Sequence, residues 1–381
     1  MVLSKGFEVE VYTGTPTGEI VGLSDQIVEA LDGFVREPDS RNVEYTTAPA
    51  HQYEQLLCDL VRPRLRLRQY LQTLGDYTLV PGSTLPLAGS DRFYRSDPEN
   101  PYHTYIEQTY GTKVVTASIH INIGIPDPER LIQACRLVRL EAPLFLALST
   151  SSPFWGGTVT GNHSTRWAVF PKTPLEVPLF TSHRHFIDWT ETQLLLGKMQ
   201  NVRHLWSSVR PNGNHRPYDL NRLELRICDL VTNPLHLLAI TALLEARILQ
   251  LMDDPNLDPL LSSDFKSDPQ ALADLADANE QAVAHQGLAA SLTHWQDGRQ
   301  LLAQDWIEEL YTEIWPTAKQ GGFSCFLTPI HEILRQGTDA QRWLTLHQQG
   351  QSIAEIITAA ITAMSVTEFE LQDKLCKPIT V

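Results

Sequence analysis

The segment Gly6-Phe7-Glu8-Val9-Glu10-Val11-Tyr12 places an acid at every second position between apolar residues. A period of two is the mark of a strand, so Glu8 and Glu10 share one face while Phe7, Val9 and Val11 share the other. Two carboxylates side by side on a sheet repel by roughly 4 kcal/mol at a few ångströms and an effective dielectric near 20. A chain keeps such a pair cheaply in open water or around a cation. Taken alone, the segment fits a solvated edge strand equally well. Similar faces further along the chain shift the balance towards a cation.

Asn42-Val43-Glu44-Tyr45-Thr46-Thr47 is strand-like and carries Glu44, with Glu37 in the approach to it. In Ser118-Ile119-His120-Ile121-Asn122-Ile123-Gly124-Ile125 every second residue is Ile, leaving Ser118, His120 and Asn122 on a polar, ligand-capable face. Arg222-Leu223-Glu224-Leu225-Arg226-Ile227-Cys228 repeats the pattern with Leu223, Leu225 and Ile227 inward. One sheet can therefore present Glu8, Glu10, Glu44, His120, Asn122, Glu224 and Arg226 on a single face. Carboxylate oxygens with one imidazole suit Mg2+ or Mn2+ better than zinc. Several acids beside an arginine are the parts expected for metal-bridged phosphate chemistry. Each strand by itself reads as an amphipathic strand facing water. All four together argue against that, because solvated faces also carry Lys and Thr, whereas here only Arg222 and Arg226 bring positive charge.

The 381 residues suffice for one large domain or two ordinary ones, and the net charge of -15 leaves no basic surplus for a nucleic-acid partner. No apolar run approaches the ~18 residues of a membrane span, and the N-terminus has no apolar signal core. Cys58, Cys135, Cys228, Cys325 and Cys376 are scattered without a CxxC pair, so a reduced, cytoplasmic protein with structural thiols is expected. Strands are expected at residues 6–12, 42–47, 77–81, 113–125 and 222–229. Helices are expected from Ser24, at 51–74 with a break at Pro63, after Asp127, from Asn233 to about Met252, and near 268–287, 298–315, 328–336 and 339–363. The Asp- and Pro-rich stretch from Asp253 to Asp268 reads as a surface loop. Strands without regular βαβ alternation point to an α+β fold with a mostly antiparallel sheet, one polar face and helices packed on the other. The whole chain, 1–381, is expected to form a single domain, with a sheet-forming part to about residue 252 and a helical part from about 268.

No Walker A, GxGxxG, G-x-S-x-G or H-E-x-x-H motif is present. Gly156, Gly157 and Gly161 form a glycine-rich loop whose spacing fits no phosphate-binding fingerprint. Arg62, Arg64, Arg66 and Arg68 read as a solvated or ion-paired helix face, the His183/His185 pair lacks acids at ligand spacing, and Trp295, Trp306, Trp315 and Trp343 read as core.

In their order and spacing, six stretches resemble the cyanobacterial-type glutamate–cysteine ligases, within a carboxylate–amine ligase group whose fold is similar to the catalytic domain of glutamine synthetase. They are residues 6–10, 43–49, 118–124 and 151–166, then Val209-Arg210-Pro211 leading to 223–229, and Asn279 to Leu288. The resemblance implies ATP-dependent amide formation through an acyl phosphate, with Mg2+ or Mn2+. The small-molecule substrates would be ATP, glutamate and cysteine, in the first step towards glutathione, with neither nucleic acid nor membrane as partner. By the same resemblance, Glu8, Glu10, Glu37, Glu44, His120 and Glu224 are metal ligands. Arg226 lies near the transferred phosphoryl group, Glu10 and Arg226 serve catalysis, and Arg166 and Arg210 bind substrate. The wider group often has His-x-His where this chain has His120-Ile121-Asn122, which leaves Asn122 as a nucleotide or metal contact of a different kind. The glycines at 156, 157 and 161 are the candidate lid over the acyl phosphate. Two alternatives remain open at the level of sequence: a ligase for another amine or acid, and a metal-dependent hydrolase on the same carboxylates.

Overall fold

The computed structural model describes residues 2–264 and 268–376. The chain opens with β1 (Lys5–Gly14), α1 (Ser24–Ala30), the short β2 (Phe34–Arg36) and β3 (Asn42–Thr46). Next come α2 (Tyr53–Leu74), β4 (Thr78–Val80), α3 (Pro101–Tyr110), β5 (Ile119–Gly124) and the long α4 (Pro128–Ser149). A small hairpin of β6 (Phe154–Trp155) and β7 (Thr158–Val159) leads to α5 (Thr165–Val169) and α6 (His183–Leu195). β8 (Val209–Asn212) and β9 (Arg222–Leu225) complete the main sheet before α7 (Pro234–Asp253). α8 (Pro259–Ser262) and α9 (Pro269–Gln286) precede a second hairpin, β10 (Ser291–Thr293) and β11 (Gln300–Leu302). Four helices follow: α10 (Ala303–Gly321), α11 (Pro329–Gln336), α12 (Asp339–Gln348) and α13 (Ile353–Leu375).

The seven-stranded sheet has the order β2-β3-β1-β5-β9-β8, with β4 paired to the far end of β1. Its pairings are antiparallel, as the lack of βαβ alternation implies. On the apolar face, Phe7, Val9, Val11, Val43, Ile119, Ile121, Ile123, Leu223 and Leu225 are buried. α4 packs across β8 and β9 and against α7 and α9. Asp127 caps α4 through the Arg130 amide, with Pro128 in its first turn, and Asn233 with Pro234 starts α7 in the same way. Contrary to the expectation that no run approaches a membrane span, α7 is long and apolar enough to cross one, but 83% of its apolar window is buried inside the protein.

Several expectations shift. The strand expected over 113–125 is only Ile119–Gly124, because Gly111–Val114 closes a 3-10 turn behind α3. Pro63 does not interrupt α2; Leu60, Val61, Arg64 and Leu65 around it are buried, and packing holds the turn that has lost one hydrogen bond. The helix expected over 339–363 is two, since Ser352 and Glu355 form a capping box that starts α13 afresh. The stretch after Asp253 carries a 3-10 turn at Pro255–Leu257 and then α8, each begun by an aspartate cap. Asp258 there is buried against Arg136, and residues 265–267 lie outside the described residues.

The expectation of free thiols also needs correction. Cys58 on α2 and Cys376 just beyond α13 are disulfide-bonded, 318 residues apart in sequence and 5.3 Å between Cα atoms. α13 lies along α2, where Glu368 receives Arg64 and Arg68 in a buried triad. That packing brings the first long helix and the last together, a proximity no cysteine spacing reveals. Cys135 and Cys228 are free and buried, and Cys325 is free and exposed.

Candidate active site

The register of the sheet assembles the polar face. Glu10 lies directly across from Glu44, and Glu8 across from His120. One step further, Asn122 lies across from Glu224, which in turn lies across from Arg210. Directly opposed residues on antiparallel strands have Cβ atoms about 5 Å apart, so residues as far apart in sequence as Glu8 and His120 become neighbours.

The side chains converge. His120 Nδ1 lies 2.9 Å from Glu8 Oε2 and 3.7 Å from Glu224 Oε1. The Ser118 hydroxyl donates to Glu10 Oε2 at 2.8 Å and lies 3.1 Å from His120 Nε2. Asn122 donates its amide to Glu8 at 3.1 Å and accepts from Arg222 Nε at 3.2 Å, so the departure from His-x-His becomes a clamp between an acid and an arginine. Glu224 is fully buried; Arg210 grips it through Nε at 2.7 Å and Nη2 at 3.0 Å, Asn212 adds a bond at 2.6 Å, and Arg226 adds another.

Two sets of ligand atoms result: Glu8, His120 and Glu224, and Glu10, Glu44 and His120, with the atoms in each set within 4.8 Å of one another. Hard oxygen donors with one imidazole fit a divalent cation such as Mg2+ or Mn2+, and His120 offers a different ring nitrogen to each set. Burial, and after it the charge of Glu10, holds the Glu37 carboxyl well above its ordinary range. Burial and Glu37 do the same to Glu44. Burial and Glu224 would also raise Glu8, but the His120 contact and the Arg226 charge leave it lowered. For Glu224 the burial cost is overcome by Arg210 and Arg226, and its carboxyl lies well below the usual range.

Glu8, Glu10, Glu37, Glu44 and His120, with Glu224 buried behind them, line a cavity of about 850 Å3 that also takes in Tyr102, Trp206 and Arg216. A second chamber of about 740 Å3, walled by Val2 to Phe7, Thr47, His51 and Pro126, shares Glu8, Thr46, Asn214 and Arg222 with the first. Arg166 lines the larger cavity, but its Nη1 and Nη2 donate to the carbonyls of Ile227 and Arg226 at 2.9 and 2.8 Å. Arg210 spends its remaining Nη1 bonds on the Arg203 and Leu205 carbonyls. Both arginines thus support the strand that carries Glu224 and Arg226, and would have to release those bonds to reach a substrate. The glycine loop lies elsewhere. Gly156 and Gly157, at φ +58° and +79°, are the two-residue turn of the β6–β7 hairpin, docked on the Leu85 and Pro86 carbonyls. Neither lines the cavity, and neither does Gly161.

Sequence reasoning missed Ser118 as the link between Glu10 and His120, although it shares their face, and it missed Arg216. The Asn212-Gly213-Asn214 turn before Arg216 was the available signal, marking a loop held between two site strands.

A Rubrobacter xylanophilus protein provisionally named glutamate–cysteine ligase 2-1 is 26% identical over 355 residues, covering 91% of this chain and 90% of that protein. The fold is similar to that of a glutamate–cysteine ligase from Francisella tularensis solved with AMP, at TM-score 0.69 and 14% identity, covering 99% of this chain and 93% of that one. It is also similar to a bifunctional glutathione synthetase from Pasteurella multocida, at TM-score 0.74 and 16% identity, covering 97% of this chain and 53% of that one. The model of glutamate–cysteine ligase family 2 matches residues 4–360. The chain belongs to that family and is a ligase.

Proposed function

We propose that the protein joins the γ-carboxylate of glutamate to the amine of cysteine at the cost of ATP, with Mg2+ or Mn2+ held by Glu8, His120 and Glu224 and by Glu10, Glu44 and Glu37. The observation that carries this reading is the register pairing of Glu10 with Glu44 and of Glu8 with His120 beside Arg226, on one face of a shared cavity. The smaller chamber offers room for the nucleoside, and the larger one for the amino acids and the transferring phosphoryl group. The whole chain works as one ligase unit in this reading, because α13 and α10 pack onto α2 and α7 of the sheet-bearing part. A cytoplasmic location, with small-molecule substrates and neither nucleic acid nor membrane as partner, accompanies it.

The chemistry follows from charge. A γ-carboxylate oxygen attacks the terminal phosphorus of ATP, ADP leaves, and the carboxylate becomes an acyl phosphate. The amine nitrogen then attacks the acyl carbon, phosphate leaves, and the nitrogen gives up a proton. The first step brings two anions together, so its barrier is electrostatic. Divalent cations, when bound, neutralise the phosphate oxygens. Arg226 is fixed by Glu224 and aimed at the cavity, and it offsets charge on the phosphoryl group as that charge builds. Asn122 holds Glu8 and Arg222 in place at the boundary of the two chambers. Tyr102, Phe170 and Trp206 on the cavity wall limit water near the acyl phosphate.

The test is ADP release with each substrate omitted in turn. Release that needs both glutamate and cysteine supports the reading. Turnover with glutamate and a different amine would move the assignment to a related ligase, and phosphate-ester hydrolysis without nucleotide would move it to a hydrolase.

A further inference from the structure

We propose that Arg216 grips the terminal phosphoryl group of the nucleotide. The proposal rests on the phosphoryl-transfer reading above and adds a residue to it. Arg216 lies in the loop between β8 and β9 and lines the same cavity as Glu8, Glu10 and Arg226. Of the other guanidinium groups around it three are occupied, while that of Arg203 is solvent-exposed. Arg210 and Arg226 are paired with Glu224, and Arg222 is bonded to Asn122 and Asn221. Arg216 has no carboxylate or carbonyl partner among the described residues, and its Nη1 is sealed from solvent with nothing to donate to. A buried donor left unmade costs free energy, and crowding a half-buried cation among other cations adds to that cost. Burial, and then the Arg210 charge, bring its pKa down to about 10. A group kept at that cost is explained by an anion that arrives with the substrate.

The loop is built to hold the guanidinium still. The Asn212 carbonyl accepts from the Asn221 amide at 3.0 Å, and the His215 carbonyl accepts from Tyr218 and Asp219 at 2.8 and 2.9 Å. His183 Nε2 lies 2.8 Å from the Pro217 carbonyl, and the Tyr218 hydroxyl donates to Glu191 at 2.7 Å. At Gly213 the chain passes so close to the Asp219 carbonyl oxygen that a Cβ would come within 2.0 Å of it. A donor fixed before the substrate arrives pays no reorganisation when charge develops.

Charge selects the anion. Arg226 feels Glu224, Glu8 and Glu10, and Arg210 feels Glu224 and Glu8, whereas Glu224 is the one acid that offsets Arg216 against three neighbouring arginines. A terminal phosphoryl group, carrying nearly two negative charges and three acceptor oxygens, offsets that crowding of cations more fully than a substrate carboxylate would. Arg216 lines the larger cavity and not the chamber walled by Val2 to Phe7, which places it at the phosphoryl end of the nucleotide.

The experiment compares wild type, Arg216→Gln and Arg216→Lys by calorimetry with Mg2+ and either ADP or the β,γ-methylene analogue of ATP, alongside steady-state kinetics. Melting temperatures of the variants should match or exceed wild type, because no partner is left unpaired. Arg216→Gln should weaken the ATP analogue about tenfold or more while ADP affinity stays unchanged. Arg216→Lys should recover part of that loss, and kcat should fall in both. A raised KM for glutamate with unchanged nucleotide affinities would overturn the proposal in favour of a carboxylate contact. No change in any of these quantities would overturn it outright. If wild type binds neither nucleotide, the ligase reading fails first and takes this proposal with it.

Discussion

Glu10 and Glu224 look equivalent as sequence, each an acid on an alternating strand, but the structure separates them. Glu224 is wholly buried and carries Arg210, Arg226 and Asn212, so Glu224→Gln strands two cations and should destabilise the fold by about 3–5 kcal/mol, besides abolishing turnover. Glu10 accepts one bond from Ser118 and faces Glu44, so Glu10→Gln should abolish turnover while leaving the melting temperature unchanged or higher. Thermal melts with kinetics check both; equal stability losses would contradict the distinction. The raised carboxyls give a pH signature. A carboxyl whose folded pKa exceeds its unfolded value penalises the fold above that pKa, and the penalty fades as pH falls through it. Glu37 and Glu44 behave so, whereas Glu8 and Glu224 are lowered and stay ionised until pH falls below the ordinary carboxylate range. The metal-free protein should therefore gain stability as pH drops from the alkaline side towards the ordinary carboxylate range, and Mg2+ binding should release protons and weaken over the same span. Calorimetry in buffers of different ionisation enthalpy measures that release, and a proton count of zero would contradict it.

The strands of the site were legible because period-two alternation of apolar and polar residues survives in β1, β3, β5 and β9. β8 was not. It is four residues long, lies at the sheet edge and contains Pro211, which fits an edge strand but hides it from pattern reading. β2, three residues long at the other edge, was hidden for the same reason of length. In the β6–β7 hairpin the glycines that suggest a lid supply the positive φ of a tight turn. Gly157→Ala should cost about 1 kcal/mol through strain at φ +79°, where its Cβ would also stand 3.0 Å from the Leu87 carbonyl oxygen. Its kcat should equal that of wild type. A large loss of kcat with normal stability would restore the loop to the site.

Across the molecule, local patterns revealed the sheet face, while long-range packing decided what the sequence hid. The Arg64–Glu368–Arg68 triad and the Cys58–Cys376 bond join helices from opposite ends of the chain, and no period or motif links such positions. Thiol titration of the denatured, unreduced protein should count three cysteines, rising to all five after reduction. Five before reduction would show the bond absent. The gathering of Glu8, Glu10, Glu44, His120 and Glu224 around cations is best tested by a crystal structure with Mn2+ and an ATP analogue, using the anomalous signal of the metal. Manganese peaks are expected coordinated by Glu8, His120 and Glu224 and by Glu10 and Glu44, with the phosphates between them and Arg226. Manganese bound elsewhere, with these carboxylates still turned to one another, would contradict it.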